Sequence, residues 1–290
     1  MRRAISLAGL DCDQAEVVRA VAGDGDRVSV VIGPAGTGKT RTMAAAVQAW
    51  ADAGVPVRGL AVSAMAAGVL AQETGVASAT IAKFLAEHDR PDGPIPAWRL
   101  GRGEVVILDE AAMVASADLA RVLRLVHDAR GKAVLVGDPA QLDAVEAGGL
   151  FRLLAADAAA VELGVVRRFS QPWEGQASLK LRYHDASVVD LYDQQGRLIG
   201  GDRRQLEDAA VAFWQTARSD GQTMVITAAD RASVDRLARR IRAARTDAGD
   251  VGPAGITTAA GQSVWGRRRD RHFAPRPSAR HLSRAMGPQR

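Results

Sequence analysis

Residues 33–40 constrain this chain more than any other segment, because they read Gly-Pro-Ala-Gly-Thr-Gly-Lys-Thr, a complete phosphate-binding loop (P-loop). The loop follows an apolar run at residues 28–32 and leads into a helix-forming stretch at residues 41–50. A buried parallel strand that ends in a tight glycine turn points the next helix at a bound phosphate. A glycine-rich turn that matches by chance would not need this context. The sequence therefore predicts a site for a nucleoside triphosphate.

Each residue type in the P-loop has a predicted role. Backbone N–H groups of such a turn form a nest for the α- and β-phosphates. The Lys39 ammonium would reach the β- and γ-phosphates, and the Thr40 hydroxyl would hold Mg²⁺. The nucleotide-binding residues predicted in the loop are Gly33, Pro34, Ala35, Gly36, Thr37, Gly38, Lys39 and Thr40.

Two adjacent carboxylates, Asp109 and Glu110, follow a strand predicted at residues 104–108. At the carboxyl end of a central strand they would lie beside the P-loop. Asp109 would bind Mg²⁺, and Glu110 would orient and deprotonate the attacking water. A pair that only capped the next helix would need just one carboxylate. The sequence therefore favours hydrolysis of the nucleotide.

A third polar turn, Gly137-Asp138-Pro139, ends the strand predicted at residues 132–136 and precedes Gln141. We expect Gln141 to hydrogen-bond the γ-phosphate and to act in catalysis with Lys39. Asp138 would tie this turn back to the carboxylate pair. The Gly-Asp-Pro string alone is common, but its place after Asp-Glu, with a glutamine two residues beyond the proline, is specific.

The order of predicted elements favours an α/β fold. Short apolar strands alternate with helical stretches in the first half, which is typical of a parallel sheet with helices on both faces. In the second half we expect helices at residues 176–182, 204–218 and 231–245, and a strand at residues 223–227.

Composition and charge narrow the setting. The chain has 290 residues, of which 47% are hydrophobic, and one cysteine, so it has no internal disulfide. No apolar run reaches the roughly 18 residues that a membrane-spanning helix needs. The apolar stretch at the amino terminus is too short for the hydrophobic region of a secretory signal. We expect a cytoplasmic protein that does not contact a membrane.

The basic charge is concentrated at one end. The whole chain has a formal net charge of +5, whereas residues 251–290 alone hold eight arginines, one aspartate and no lysine. The rest of the chain is therefore close to neutral, and its overall charge is not evidence for DNA binding. We predict that this tail is disordered.

On these motifs the chain resembles superfamily 1 DNA helicases, most closely the RecD-like helicase region of MobF (TraA/TrwC-type) conjugative relaxase–helicases. The resemblance covers roughly residues 7–245 and implies ATP and Mg²⁺ as cofactors and single-stranded DNA as partner. It implies that Gln14 contacts adenine and that Ser63 and Thr80 face DNA. In Val165-Val-Arg-Arg-Phe, an arginine would contact the γ-phosphate, and we choose Arg168 over Arg167.

The resemblance also implies a domain organisation. Residues 1–158 would form a RecA-like, P-loop NTPase ATP-binding domain, residues 159–249 a partial second RecA-like domain, and residues 250–290 a basic tail. The family's late Gln-Gly-x-Thr motif and its terminal Thr-Arg motif do not occur in this sequence, and neither does a relaxase domain. We therefore expect a truncated helicase region without the late motifs on which full helicase activity depends.

Three functions remain open at this point: a DNA-dependent ATPase of the helicase class, a nucleotide-binding remnant without turnover, and a nucleotide-gated DNA-binding or partner-docking module.

Two interpretations of the basic tail at residues 251–290 also remain open. The tail contains the products expected from out-of-frame reading of GC-rich DNA, namely Arg, Pro, Ala and Gly, which favours a frame-disrupted remnant. A basic arm that binds nucleic acid or a partner is the alternative.

Overall fold

The computed structural model describes residues 9–23, 25–141, 147–157 and 159–250, and the backbone of two short strands at residues 256–257 and 263–264. The chain divides into two compact units, Met1–Gln195 and Gly196–Arg290. Apart from the two short strands, the tail that was predicted to be disordered lies outside the described residues. None of the described helices is long and apolar enough to cross a membrane.

The first unit contains a six-stranded sheet in which every neighbouring pair is parallel, in the order β3-β2-β4-β5-β1-β6. This confirms the predicted α/β fold. The strands are β1 Val28–Ile32, β2 Val57–Ala61, β3 Ser78–Thr80, β4 Val105–Leu108, β5 Lys132–Gly137 and β6 Val161–Glu162.

Helices cover both faces of this sheet because side chains alternate along the strands. The helices of the unit are α1 Cys12–Gly23, α2 Lys39–Asp52, α3 Ala64–Thr74, α4 Ile81–His88, α5 Ser116–Asp128, α6 Leu150–Asp157, α7 Pro172–Arg182 and α8 Ser187–Gln194, with single 3₁₀ turns at Pro96–Trp98 and Ala111–Met113. Val30 packs into one apolar cluster with α4, α5 and α6, whereas its neighbour Val31 packs into the other with α1 and α2.

The strand register sets where the functional segments emerge. Ile32 at the end of β1 pairs with Gly137 at the end of β5, and Leu108 at the end of β4 pairs with Leu135 in β5. The chain segments that follow β1, β4 and β5 therefore leave the same edge of the sheet next to one another. This brings together three motifs that are separated by up to a hundred residues in sequence.

The second unit contains two described helices, α9 Arg203–Ser219 and α10 Arg231–Asp247, and an antiparallel pair of β7 Ile256–Thr257 with β8 Ser263–Val264. Both helices were predicted, whereas α8 was not. The strand predicted at residues 223–227 is wrong, because this segment has no regular secondary structure and pairs with no described strand. Because the units divide after Gln195, α7 and α8 lie in the first unit, although the sequence placed a domain boundary after residue 158.

Candidate nucleotide site

The P-loop joins β1 to α2 at the carboxyl edge of the sheet. Its first residue is held by a hydrogen bond from the Gly33 N–H to the Gly137 carbonyl (2.9 Å). Gly36 and Gly38 have φ angles of 85° and 86°, in the left-handed region that favours glycine. A Cβ on Gly36 would lie 2.5 Å from the Arg168 Cβ, and one on Gly38 would lie 2.6 Å from the Gln14 amide nitrogen. Gly36 is therefore required for both backbone angle and space, and Gly38 above all for backbone angle.

Lys39 is the first residue of α2, and its ammonium folds back over the loop. Its Nζ donates to the Gly33 carbonyl (2.9 Å) and lies 3.7 Å from a carboxylate oxygen of Glu110. Thr40 follows in the first turn of the same helix and is half-buried. The structure therefore brings the predicted phosphate-binding lysine beside the predicted general base.

Asp109 and Glu110 lie directly after β4. The Asp109 N–H continues the ladder to the Leu60 carbonyl (2.9 Å), and the Glu110 N–H donates to the Asp109 carboxylate (3.0 Å). Glu110 has a φ of 53°, a left-handed conformation that is strained for a residue other than glycine. Strain of this kind is concentrated at functional sites. Here the residue with the left-handed backbone, Glu110, is the one whose side chain lies beside Lys39.

The electrostatics of this pair suit a cation. Burial, and then the charge of Glu110, raise the pKa of Asp109 above its ordinary value, although the Glu110 N–H and Lys39 act in the opposite direction. No cluster of three or more His, Cys, Asp or Glu side chains that would hold a metal by itself occurs in the described part of the chain. Mg²⁺ usually takes one or two carboxylates together with substrate phosphates. Asp109 and the Thr40 hydroxyl fit that pattern.

Asp138 is buried, and its main partner was not foreseen. The guanidinium of Arg182, at the end of α7, donates to its carboxylate from Nη2 (2.6 Å) and Nε (3.0 Å). The expected tie from Asp138 to the Asp109–Glu110 pair is therefore wrong, because Arg182 takes that carboxylate instead. Burial disfavours the charge on Asp138, but hydrogen bonds from Arg182 hold its pKa below the ordinary value.

Gln141 belongs to the same group. Its amide Nε2 donates to the Asp138 carboxylate (3.3 Å) and its backbone N–H to the Asp138 carbonyl (3.1 Å). The predicted contact with a γ-phosphate stays a prediction. The sequence offered no signal for Arg182, since its partner Asp138 lies 44 residues away along the chain.

Two adjacent arginines on the segment after β6 lie against the P-loop in different ways. The Arg167 guanidinium binds the Asp11 and Asp13 carboxylates and the Thr37 and Val165 carbonyls, so each of its three nitrogens has a partner. Arg168 is exposed, and its stem covers Gly36. No ion pair to a described residue engages its guanidinium. The preference for Arg168 as the phosphate contact is compatible with this placement and stays a prediction.

Gln14 is buried against the underside of the P-loop. Its amide Nε2 donates to the Thr37 carbonyl (3.4 Å), and its Oε1 accepts from the Asp11 N–H (3.3 Å). The structure thus brings Gln14 to the nucleotide loop, as the resemblance implied. Its contact with adenine is a prediction.

Ser63 and Thr80 lie at the ends of the neighbouring strands β2 and β3, and each is an N-cap. The Ser63 hydroxyl accepts from the Ala66 N–H, and the Thr80 hydroxyl accepts from the Lys83 N–H, both at 3.1 Å. Each hydroxyl hydrogen is then available to another acceptor. The structure places both residues on the carboxyl edge, and their role toward DNA stays a prediction.

Comparisons with known proteins identify a family and relatives of this chain. A family model for the AAA domain matches residues 9–203. The chain is 35% identical over 276 residues to the probable conjugal transfer protein TraA of Sinorhizobium fredii, an alignment that covers 92% of this chain and 23% of the relative. It is 35% identical over 152 residues to the multifunctional conjugation protein TraI of Escherichia coli K12, covering 50% of this chain and 8% of TraI.

A solved structure is also similar. The Pif1 helicase from Candida albicans superposes with a TM-score of 0.50 at 18% sequence identity, covering 70% of this chain and 53% of that protein. At this identity the similarity shows the fold. The chain spans less than a quarter of the length of its TraA relatives.

Proposed function

Because this chain belongs to the AAA domain family, we propose that its P-loop and carboxylate pair form the ATP·Mg²⁺ site of a helicase-type motor related to conjugative DNA transfer. The observation that carries the proposal is the meeting of Lys39 and Glu110 at 3.7 Å, beside Asp109, at the end of the P-loop. The similarity to TraA and TraI, which are conjugation proteins, supports the proposed setting. This similarity to TraA and TraI also agrees with the resemblance to relaxase–helicases that the sequence motifs indicated.

In this proposal the residues on the carboxyl edge have separate roles in binding and hydrolysing ATP. The P-loop amides hold the phosphates, and Lys39 turns from Glu110 to the β- and γ-phosphates. Glu110 is then free to orient a water and to accept its proton. Thr40 and Asp109 would hold Mg²⁺, which would supply positive charge at the phosphates. Each of these residues already lies on the same edge of the sheet.

The remaining predicted residues complete the nucleotide site. Gln141 and Arg168 would contact the γ-phosphate, and Gln14 would contact adenine. The placement of all three next to the loop or to the turn after β5 supports these roles. Gln141 lies on a turn that Arg182 holds through Asp138, so its position depends on α7.

The DNA side of the proposal rests on the neighbouring strands. Ser63 and Thr80 would contact single-stranded DNA, with residues 1–158 as the RecA-like ATP-binding domain and residues 159–249 as a partial second one. Residues 250–290 would be a basic tail.

Both ATP and transferred DNA are present in the cytoplasm, where we expect the protein to act.

Steady-state ATP hydrolysis with and without single-stranded DNA tests the proposal. We expect DNA-stimulated turnover that Lys39→Ala removes, because the ammonium no longer reaches the β- and γ-phosphates. A loss of about a hundredfold or more is expected for an electrostatic group of this kind. ATP binding without turnover in the unaltered chain would instead favour a nucleotide-binding remnant. Tight DNA binding that responds to ATP analogues, without hydrolysis, would favour a nucleotide-gated binding module.

A further inference from the structure

Arg167 lies where three segments that are distant in sequence meet. Its Nε is 2.6 Å from the Asp11 carboxylate and its Nη2 is 2.6 Å from the Asp13 carboxylate. Its Nη1 donates to the Thr37 carbonyl (2.8 Å), and its backbone N–H donates to the Gly36 carbonyl (2.7 Å). One residue therefore links the start of α1, the P-loop and the segment after β6.

The contact with Thr37 sets the direction of a P-loop amide. A trans peptide group is planar, so its C=O and N–H point in opposite directions. The Thr37 carbonyl is held by Arg167 and also accepts from the Gln14 amide (3.4 Å). The N–H of Gly38, in the same peptide group, must then point away from both side chains. Backbone N–H groups of this kind form the nest that binds phosphate.

The chemistry of the side chain matters as well as its charge. The planar guanidinium offers donors in several fixed directions, so it serves two carboxylates and the carbonyls of Thr37 and Val165 at once. A lysine ammonium carries the same charge on one nitrogen and would not span all four. The side chain of Asp13 is 19% exposed and that of Asp11 is 64% exposed, so the Asp13 contact is better shielded from water.

Resting on the nucleotide site proposed above, we propose that Arg167 is a positioning residue for that site. It holds residues 36–38 and the segment that carries Gln14 in the arrangement that receives the phosphates. It also leaves the neighbouring Arg168 free to turn toward the ligand. The role of Arg167 is geometric, and Arg168 supplies the charge.

Three variants of the full chain test this assignment: Arg167→Gln, Arg167→Lys and, as a control, Arg58→Gln. Arg58 also forms a well-buried pair, with Glu104 at 2.9 Å, but at the amino edge of the sheet. Two quantities are measured: affinity for N-methylanthraniloyl-ADP with Mg²⁺, and hydrogen–deuterium exchange of residues 11–14 and 35–38 without nucleotide. We expect both Arg167 variants to exchange faster there and to bind roughly tenfold more weakly, equivalent to about 1.4 kcal/mol. Arg58→Gln should change neither quantity.

Two results would overturn the proposal. Recovery of normal affinity and protection in Arg167→Lys would show that charge alone is needed, and unchanged exchange in Arg167→Gln would show that the loop holds itself. If the unaltered chain does not bind the ADP analogue, the proposed function fails, while the exchange comparison still tests Arg167. Where the Arg167 variants do not fold, Asp13→Asn should loosen the P-loop more than Asp11→Asn. Equal effects would contradict the assignment.

Discussion

Asp109 and Glu110 are neighbours in sequence, yet their surroundings differ. Glu110 turns toward the Lys39 ammonium (3.7 Å), whereas Asp109 is half-buried beside the Glu110 charge. Burial and this neighbouring charge raise the pKa of Asp109, which means that the fold favours its protonated form. A divalent cation would reverse that preference. Without a bound cation, the ionised Asp109 carboxylate therefore lowers the free energy of unfolding.

We expect Asp109→Asn to stabilise the protein against unfolding by about 1 kcal/mol at neutral pH without ligands. Because the folded pKa is raised, the unfavourable contribution of Asp109 is absent below its unfolded pKa and develops as pH rises through the folded pKa. The advantage of the variant should therefore shrink toward acidic pH. Urea unfolding at several pH values measures it, with the exposed Asp92→Asn as a control. A variant no more stable than the unaltered chain would contradict this account.

At the scale of secondary-structure elements, α7 is attached to the turn after β5 by one ion pair. Arg182 and Asp138 have side chains that are 10% and 3% exposed, so the pair is largely shielded from water. The same carboxylate accepts from Gln141, so α7 and the predicted γ-phosphate residue share an anchor. A buried pair of this kind need not add stability, but breaking it leaves a charge unpaired.

We expect Arg182→Gln to lower the free energy of unfolding by about 3 kcal/mol, because the Asp138 charge stays buried without its partner. The double variant Arg182→Gln/Asp138→Asn should regain most of that loss. Hydrogen bonds from Arg182 hold the pKa of Asp138 below its usual range, so this stability is present above the unfolded pKa and is lost as pH falls through the folded pKa. Chemical denaturation at neutral and acidic pH checks both statements. A double variant as unstable as the single one would refute the role of the unpaired charge.

At the scale of the whole molecule, the candidate nucleotide site lies within one compact unit. The residues that hold the P-loop, such as Asp11, Asp13 and Arg167, precede the division after Gln195, and so does Arg182, which holds the turn after β5. The second unit consists of α9, α10 and the β7–β8 pair among the residues that the structure describes. Nucleotide binding should therefore need only the first unit.

We expect residues 1–195, produced alone, to fold and to bind N-methylanthraniloyl-ADP with the same affinity as the full chain. The physical reason is that each described contact to the P-loop is made inside this unit. Fluorescence titration of the fragment and of the full chain measures the two affinities, and Lys39→Ala in the fragment is the control. An unfolded fragment, or a folded one that binds much more weakly, would contradict the expectation.

Local patterns account for what could be predicted. The run before the P-loop is apolar except for Ser29, and the run Val105–Leu108 before Asp109 is continuously apolar. Such near-continuous apolar runs are typical of parallel strands buried on both faces. Residues 223–227 show the limit of this reasoning. They carry a strand-like pattern, but a strand also needs a partner, and the described residues offer none.

The sequence by itself determined the chemistry of this protein: a P-loop, a carboxylate pair and a glutamine turn, each specified by residues that are adjacent in the chain. Only the tertiary structure decided which distant groups hold them. Arg182 binds Asp138 across 44 residues, and Arg167 binds Asp13 across 154. Such pairs depend on the order and register of the strands, which bring remote segments to one edge of the sheet. Local sequence carries no record of that arrangement, because the contacts form only when the whole sheet is assembled.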